Sequence, residues 1–271
     1  MTAYDFRVWL RTQHYADTTV RNYVNYLARA ERDLDLRRAT TLELEAWLRK
    51  HLTDSCSRGA KKALVKWYEW KGIKKNPALN VAVTREPRRL PRPHSRDDRA
   101  VFVSTAREMG GVHEVVGVLF ASTGARFSSV RYARWHQLDL REEPYWHLVG
   151  KGSNRSGPRT HAIPLHPVAA NVLRAWQGRC GSRDWVFPGG SRGGVISETG
   201  LRQVYRDVCE QAGLESVPHR QRHSLATLVL EDTDNIAVVQ ELLGHDNIAS
   251  TMIYAKVAAS KVQSAVEGLS L

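Results

Sequence analysis

Apolar residues recur along this chain at helical spacing first and at mixed spacing later. Val20, Tyr23, Val24, Leu27 and Ala30 follow the i, i+3, i+4, i+7 rule of a single helix face. Thr40 followed by Glu43 has the form of a capping box, and it opens a second helix with Leu44, Trp47 and Leu48 inside. A third helix carries Leu64, Trp67, Tyr68 and Trp70. It ends at Gly72, and Pro77 prevents it from resuming. No strand alternation interrupts this region, so residues 1–82 read as a small helical bundle. Beyond residue 95, helical periodicity covers roughly 96–109, 112–122, 126–134, 167–177, 198–212, 221–231, 235–243 and 248–267. Two alternating stretches, 145–149 and 159–163, flank the run GKGSNRSGP and predict a β-hairpin with a long, mobile turn. The expected fold is mainly α with a small antiparallel β-sheet.

The segment between these regions, VTREPRRLPRPHS at 83–95, holds three prolines and four arginines. Proline at nearly alternate positions favours an extended chain. The segment reads as a basic, Pro-rich linker, and Arg88, Arg89 and Arg92 become candidates for contact with phosphate. Two domains follow, 1–82 and 96–271, joined by the linker 83–95. A length of 271 residues fits one to two globular domains of about 150 residues each.

Charge sharpens the picture. The chain has 40 Lys+Arg against 28 Asp+Glu, a formal net charge of +12. Residues 1–84 hold 16 basic and 9 acidic residues, so the smaller part is the more basic per residue. Such a balance suggests a polyanionic partner, of which nucleic acid is the commonest. Arg58, Lys61, Lys62 and Lys66 fall at helical spacing on the third helix and form a candidate phosphate-facing stripe, or else a solvated face. No apolar run approaches a membrane-spanning length, and the N-terminus lacks the apolar core of a secretion signal. The three cysteines lie far apart, forming neither a disulfide framework nor a CxxC metal site, which points to a reducing, cytoplasmic setting.

Several residues carry chemistry. In TGARFSS, 123–129, a glycine permits a tight turn between helices and places Arg126 in the first turn of the next, where a phosphate is favoured. GKG, 150–152, sets Lys151 on the hairpin turn but lacks the spacing of a phosphate-binding P-loop. PHRQRHS, 218–224, puts His219 and Arg222 on one helix face. His223 follows His219 by four, but a zinc pair would need a third ligand, and the glutamate of HExxH is absent. LLGHDNIASTMIYAKV, 242–257, carries His245 and, nine residues on, Tyr254. Taken singly, each is an ordinary surface or core residue.

Taken in order, Arg126, Lys151, His219-x-x-Arg222, His245 and Tyr254 resemble the signature of the tyrosine recombinases, the family of phage integrases and chromosome-dimer resolving enzymes. The resemblance covers the whole second part, through the blocks TGARFSSVRYARW, LVGKGSNRSGPRTHAIPL, PHRQRHSLAT and LLGHDNIASTMIYAKV. It implies a helical core-binding domain plus a mixed α/β catalytic domain, closing as a C-shaped clamp on double-stranded DNA. Helical patterns begin almost at Met1, so the extra arm-binding domain of many phage integrases is not expected. The sequence departs from the family pattern twice: Ser129 stands where an acidic residue is common, and the hairpin turn is longer than in the shortest members, leaving Arg155 and Arg159 as alternatives to Lys151.

The implied function is site-specific recombination, in a mobile element's integration or excision, through a 3′-phosphotyrosine at Tyr254. Arg126, Arg222 and His245 would stabilise charge on the phosphate. His219 is the candidate base for the Tyr254 hydroxyl and Lys151 the acid for the leaving 5′-oxygen. No metal, ATP or other cofactor is implied. The tail, with Val257, Val262, Ala265, Val266 and Leu269, would link four protomers on DNA. Host DNA-bending or directionality factors would be further partners, acting at the nucleoid of a bacterial host. Two other classes remain open: a non-catalytic DNA-binding regulator with the same fold, and a topoisomerase IB-like relaxing enzyme.

Overall fold

The computed structural model describes residues 3–84, 92–149, 160–190, 194–244 and 251–254. The chain forms two compact units, Met1–Arg89 and Leu90–Leu271.

The first unit is a helical bundle of α1 (Ala3–Thr12), α2 (Asp17–Asp33), α3 (Thr41–His51) and α4 (Asp54–Trp70), followed by a 3₁₀ turn at Pro77–Leu79. The apolar face of α2 is the expected set Val20, Tyr23, Val24, Leu27 and Ala30, all buried. The capping box at the start of α3 is formed. Glu43 N–H donates to Thr40 Oγ1 at 3.3 Å, and Thr40 N–H donates to the Glu43 carboxylate at 2.8 Å. Tyr68, inside α4, donates its hydroxyl to the Leu36 carbonyl at 2.6 Å. Gly72 takes a positive φ of 67° just past α4. Helix α1, which the sequence reading did not single out, contributes Phe6 and Leu10 to this core.

The second unit is built around α6 (Gly111–Thr123), in which every residue from 115 to 121 is buried. A helix apolar all round belongs in the middle of a fold. Around it pack α5 (Arg96–Met109), α8 (Pro167–Gln177), α9 (Glu198–Gln211) and α10 (Pro218–Thr233). Phe120 of α6 meets Tyr205 of α9 edge-on, 5.1 Å between ring centres. A three-stranded antiparallel sheet has the order β1 (Leu138–Asp139), β2 (Tyr145–Val149), β3 (Thr160–Pro164), with Trp146 opposite Ile163 on the buried face. A second, two-stranded sheet pairs β4 (Pro188–Gly189) with β5 (Gly194–Val195).

Two expectations need correction. The helix expected over 126–134 is the short α7 (Phe127–Arg131), after which the chain turns through a 3₁₀ segment at Trp135–Gln137. Its only buried residue is Val130, too little apolar surface to hold a longer helix. Helix α10 begins at Pro218, three residues earlier than expected, because proline at the first helical position lacks only an N–H that the helix would not use. The turn of the expected hairpin and most of the expected helix at 248–267 lie outside the described residues. Helix α11 (Ile236–Leu243) ends at Gly244, which has a left-handed backbone. Among the described residues no helix is long and apolar enough to cross a membrane.

Candidate active site

Two helix ends meet at Arg222. Helix α6 ends at Gly124, with φ 57°, and α11 ends at Gly244, with φ 58°. Each helix end leaves carbonyls without an intrahelical partner and carries partial negative charge. Arg222, on the buried side of α10 and 4% exposed, donates Nη1 to Gly124 O at 2.8 Å and Nη2 to Leu243 O at 2.7 Å. A guanidinium has five N–H donors in a fixed fork, so the remaining donors stay available to a planar or tetrahedral anion. Burial, and then the nearby Arg126, lower the Arg222 pKa to about 10, which leaves it charged at neutral pH.

Arg126 is exposed and caps α7 from the extended N-cap position, one residue earlier than the first-turn position expected. It bears electrostatically on both Arg222 and His219. Among the described residues neither guanidinium has a carboxylate partner. Two cations that bear on one another with no carboxylate between them among the described residues can hold an anion.

His219 lies in the first turn of α10 and His223 one turn later. Their rings stack with centres 5.6 Å apart at 24°. Ring burial, then Arg222 and Arg126, lower the His219 pKa, even though part of the residue faces solvent. His223 is lowered further, to about 4, by burial, His219 and Arg222, so both imidazoles are neutral at pH 7. Tyr254 is 2% exposed and packs with Ala226, Leu230, Val239 and Leu243. Its phenolic oxygen lies 2.9 Å from His223 Nδ1. Burial raises its pKa, opposed by Arg222.

The structure therefore brings together Arg126, His219, Arg222 and Tyr254, four of the six residues singled out from the sequence. Lys151 and His245 lie outside the described residues, as do Arg88 and Arg89. His223 is the residue that the sequence reading passed over. Its signal in the sequence is its position, four after His219 and next to Arg222, a spacing that by itself suggests only a metal pair.

The other candidate contacts divide. Arg92 is exposed. On α4, Arg58 and Lys62 are exposed, whereas Lys61 donates to Val81 O at 2.7 Å and Lys66 pairs with Glu69 at 2.6 Å. Lys61 and Lys66 thus have acceptors within their own unit, which the bare spacing could not show.

A second tie joins the sheet to this site. His161 of β3 places Nε2 3.2 Å from Leu242 O, one residue before the carbonyl that holds Arg222. A Cβ on Gly244 would come within 2.8 Å of the His161 ring, so the turn after α11 needs glycine for both its left-handed backbone and its close neighbour.

The phage integrase family profile matches residues 111–261. Tyrosine recombinase XerC of Xanthomonas campestris pv. campestris is 34% identical over 227 residues, spanning 77% of this chain and 68% of the relative. Tyrosine recombinase XerA of Thermococcus kodakarensis is 26% identical over 268 residues, spanning 97% and 93%. Among solved structures, a lambda integrase dimer bound to a COC′ core site is similar in fold, with TM-score 0.72, 17% identity, and coverage of 93% of this chain and 75% of that one. A XerH recombinase bound to its difH substrate gives TM-score 0.65 at 18% identity, with coverage of 87% and 73%. The matched span contains the whole site around Arg222, and the chain belongs to the phage integrase family of tyrosine recombinases.

Proposed function

We propose that this protein cuts and rejoins double-stranded DNA at specific sites through a 3′-phosphotyrosine at Tyr254, in the integration or excision of a mobile element. The observation that carries the chemical reading is the convergence of Arg126 and Arg222, without carboxylate partners among the described residues, on the helix that also faces the Tyr254 hydroxyl. A phosphodiester is anionic, and attack on it builds further negative charge. Fixed guanidinium donors stabilise that charge without reorganising. The Tyr254 hydroxyl gives its proton to a histidine of α10 as its oxygen bonds to phosphorus, the bond to the 5′-oxygen breaks, and Lys151 supplies the proton that the leaving oxygen takes. The phosphotyrosyl ester keeps the bond energy, so the free 5′-hydroxyl of a partner strand reseals the break without ATP. His245 donates to the same phosphate. Four protomers, linked through the C-terminal tail, hold the four strand ends, with DNA-bending or directionality factors as further partners.

Tyr254→Phe tests the nucleophile. The variant is expected to bind a candidate attachment site normally and to form no covalent adduct with a nicked suicide substrate on a denaturing gel. A persistent adduct would overturn the assignment. Mapping the cleaved phosphodiester on candidate attachment sites, against paired sites on one plasmid, separates integration from resolution.

A further inference from the structure

The hydrogen bond on the phenolic oxygen points to His223 and not His219. We propose that His223 is the base that receives the Tyr254 proton during cleavage and returns it during resealing. This rests on the reading of Tyr254 as nucleophile.

The geometry comes first. Among the described residues, His223 is the hydrogen-bonding partner of the Tyr254 hydroxyl, at 2.9 Å, within the range required of a base before attack. With its own proton on Nε2, the imidazole presents the Nδ1 lone pair, and the phenol donates to it. His219 instead stacks on the His223 ring and feels the two guanidiniums. Helix geometry explains the division. His219 and His223 are one turn apart on one face of α10, so the first reaches the helix N-terminal mouth and the second the tyrosine packed deeper.

The charges make this base conditional on substrate. Burial opposes a positive charge on His223, and the Arg222 guanidinium opposes it further. Burial likewise keeps Tyr254 protonated. A phosphodiester held by Arg126 and Arg222 brings a negative charge that offsets the guanidiniums. An imidazolium at position 223 then becomes favourable as the bond to phosphorus forms. In cleavage the Tyr254 O–H bond breaks, its proton passes to His223 Nδ1, the O–P bond forms, and the leaving 5′-oxygen is protonated separately. In resealing the imidazolium returns the proton to the departing phenolate.

Single-turnover cleavage by the full-length protein tests this, on nicked suicide duplexes carrying either the ordinary 5′-bridging oxygen or a 5′-bridging sulfur, whose departure needs no proton. His223→Asn keeps a hydrogen-bonding group near Nδ1 but cannot carry a proton; His223→Ala removes both. DNA titrations and circular dichroism establish that each variant folds and binds. Both are expected to cleave about 10²–10⁴-fold more slowly than wild type, the usual scale of general-base catalysis. Sulfur should rescue neither, while it should rescue Lys151→Ala. Wild-type cleavage by His223→Asn would reduce the histidine to orienting the phenol and overturn the proposal. Rescue of either His223 variant by sulfur would move its role to the leaving group and do the same. An adduct with Tyr254→Phe would instead overturn the nucleophile itself, a distinct result.

Discussion

At the scale of single residues, Arg222 has a double task. Its guanidinium joins the carbonyl ends of α6 and α11 and, in the proposed reaction, also holds the phosphate as charge builds. A lysine carries the same charge on one ammonium and cannot span two carbonyls and an anion in one plane. Arg222→Lys is therefore expected to bind DNA almost as well as wild type but to cleave about 10²–10³-fold more slowly, the cost of losing one fixed donor. Gel shift and single-turnover cleavage together check it. Wild-type cleavage would mean that the guanidinium serves the fold alone. Such roles were only half legible in the sequence. The pair His219-x-x-Arg222 could be read because helix spacing sets which side chains share a face. That Tyr254 meets His223 could not, because 31 positions separate them and only the packing of residues 251–254 against α10 and α11 decides it.

At the scale of elements, long helices with a clear apolar face were legible and short pieces were not. The face of α2 and the caps of α3 follow from local spacing, whose determinants lie within one or two turns. The two-residue strands β1, β4 and β5 carry no alternation that a pattern could reveal; they exist because partner strands fix them. Helix α6 shows how tertiary packing adds what periodicity omits. Gly117 lies in mid-helix, where glycine costs stability relative to alanine. Yet a Cβ there would overlap the Ala106 Cβ of α5. The two helices approach so closely that Gly117→Ala must push them apart, and overpacking of this kind costs about 1–3 kcal/mol. Urea unfolding followed by circular dichroism should show a lowered midpoint, against the gain that helix propensity alone would give. An unchanged or raised midpoint would mean that α5 and α6 separate without loss.

At the scale of the whole molecule, the two units hold separate cores. Phe6, Leu27, Trp47 and Tyr68 belong to one, Phe102, Phe120, Trp146 and Tyr205 to the other. Among the described residues each core is built from residues of one unit, so the second unit should fold without residues 1–84. Residues 1–84, however, carry 16 of the 40 basic residues, with Arg58 and Lys62 exposed on α4. If both units hold the duplex, affinity for DNA contains a phosphate-neutralising part from each. That part falls with salt at about −0.9 per phosphate contact on a log–log scale. Removing residues 1–84 should leave the circular dichroism of the catalytic unit intact, make the salt slope shallower by several contacts, and weaken preference for the correct site. Arg58→Ala and Lys62→Ala in the full chain should each reduce the slope by about one contact. Lys61→Ala and Lys66→Ala should change it less, because those ammonium groups already bond Val81 O and Glu69. Binding titrations at several salt concentrations decide the matter. An unchanged slope in the truncated protein would show that the helical unit does not grip the DNA backbone, and that recognition rests on the catalytic unit alone.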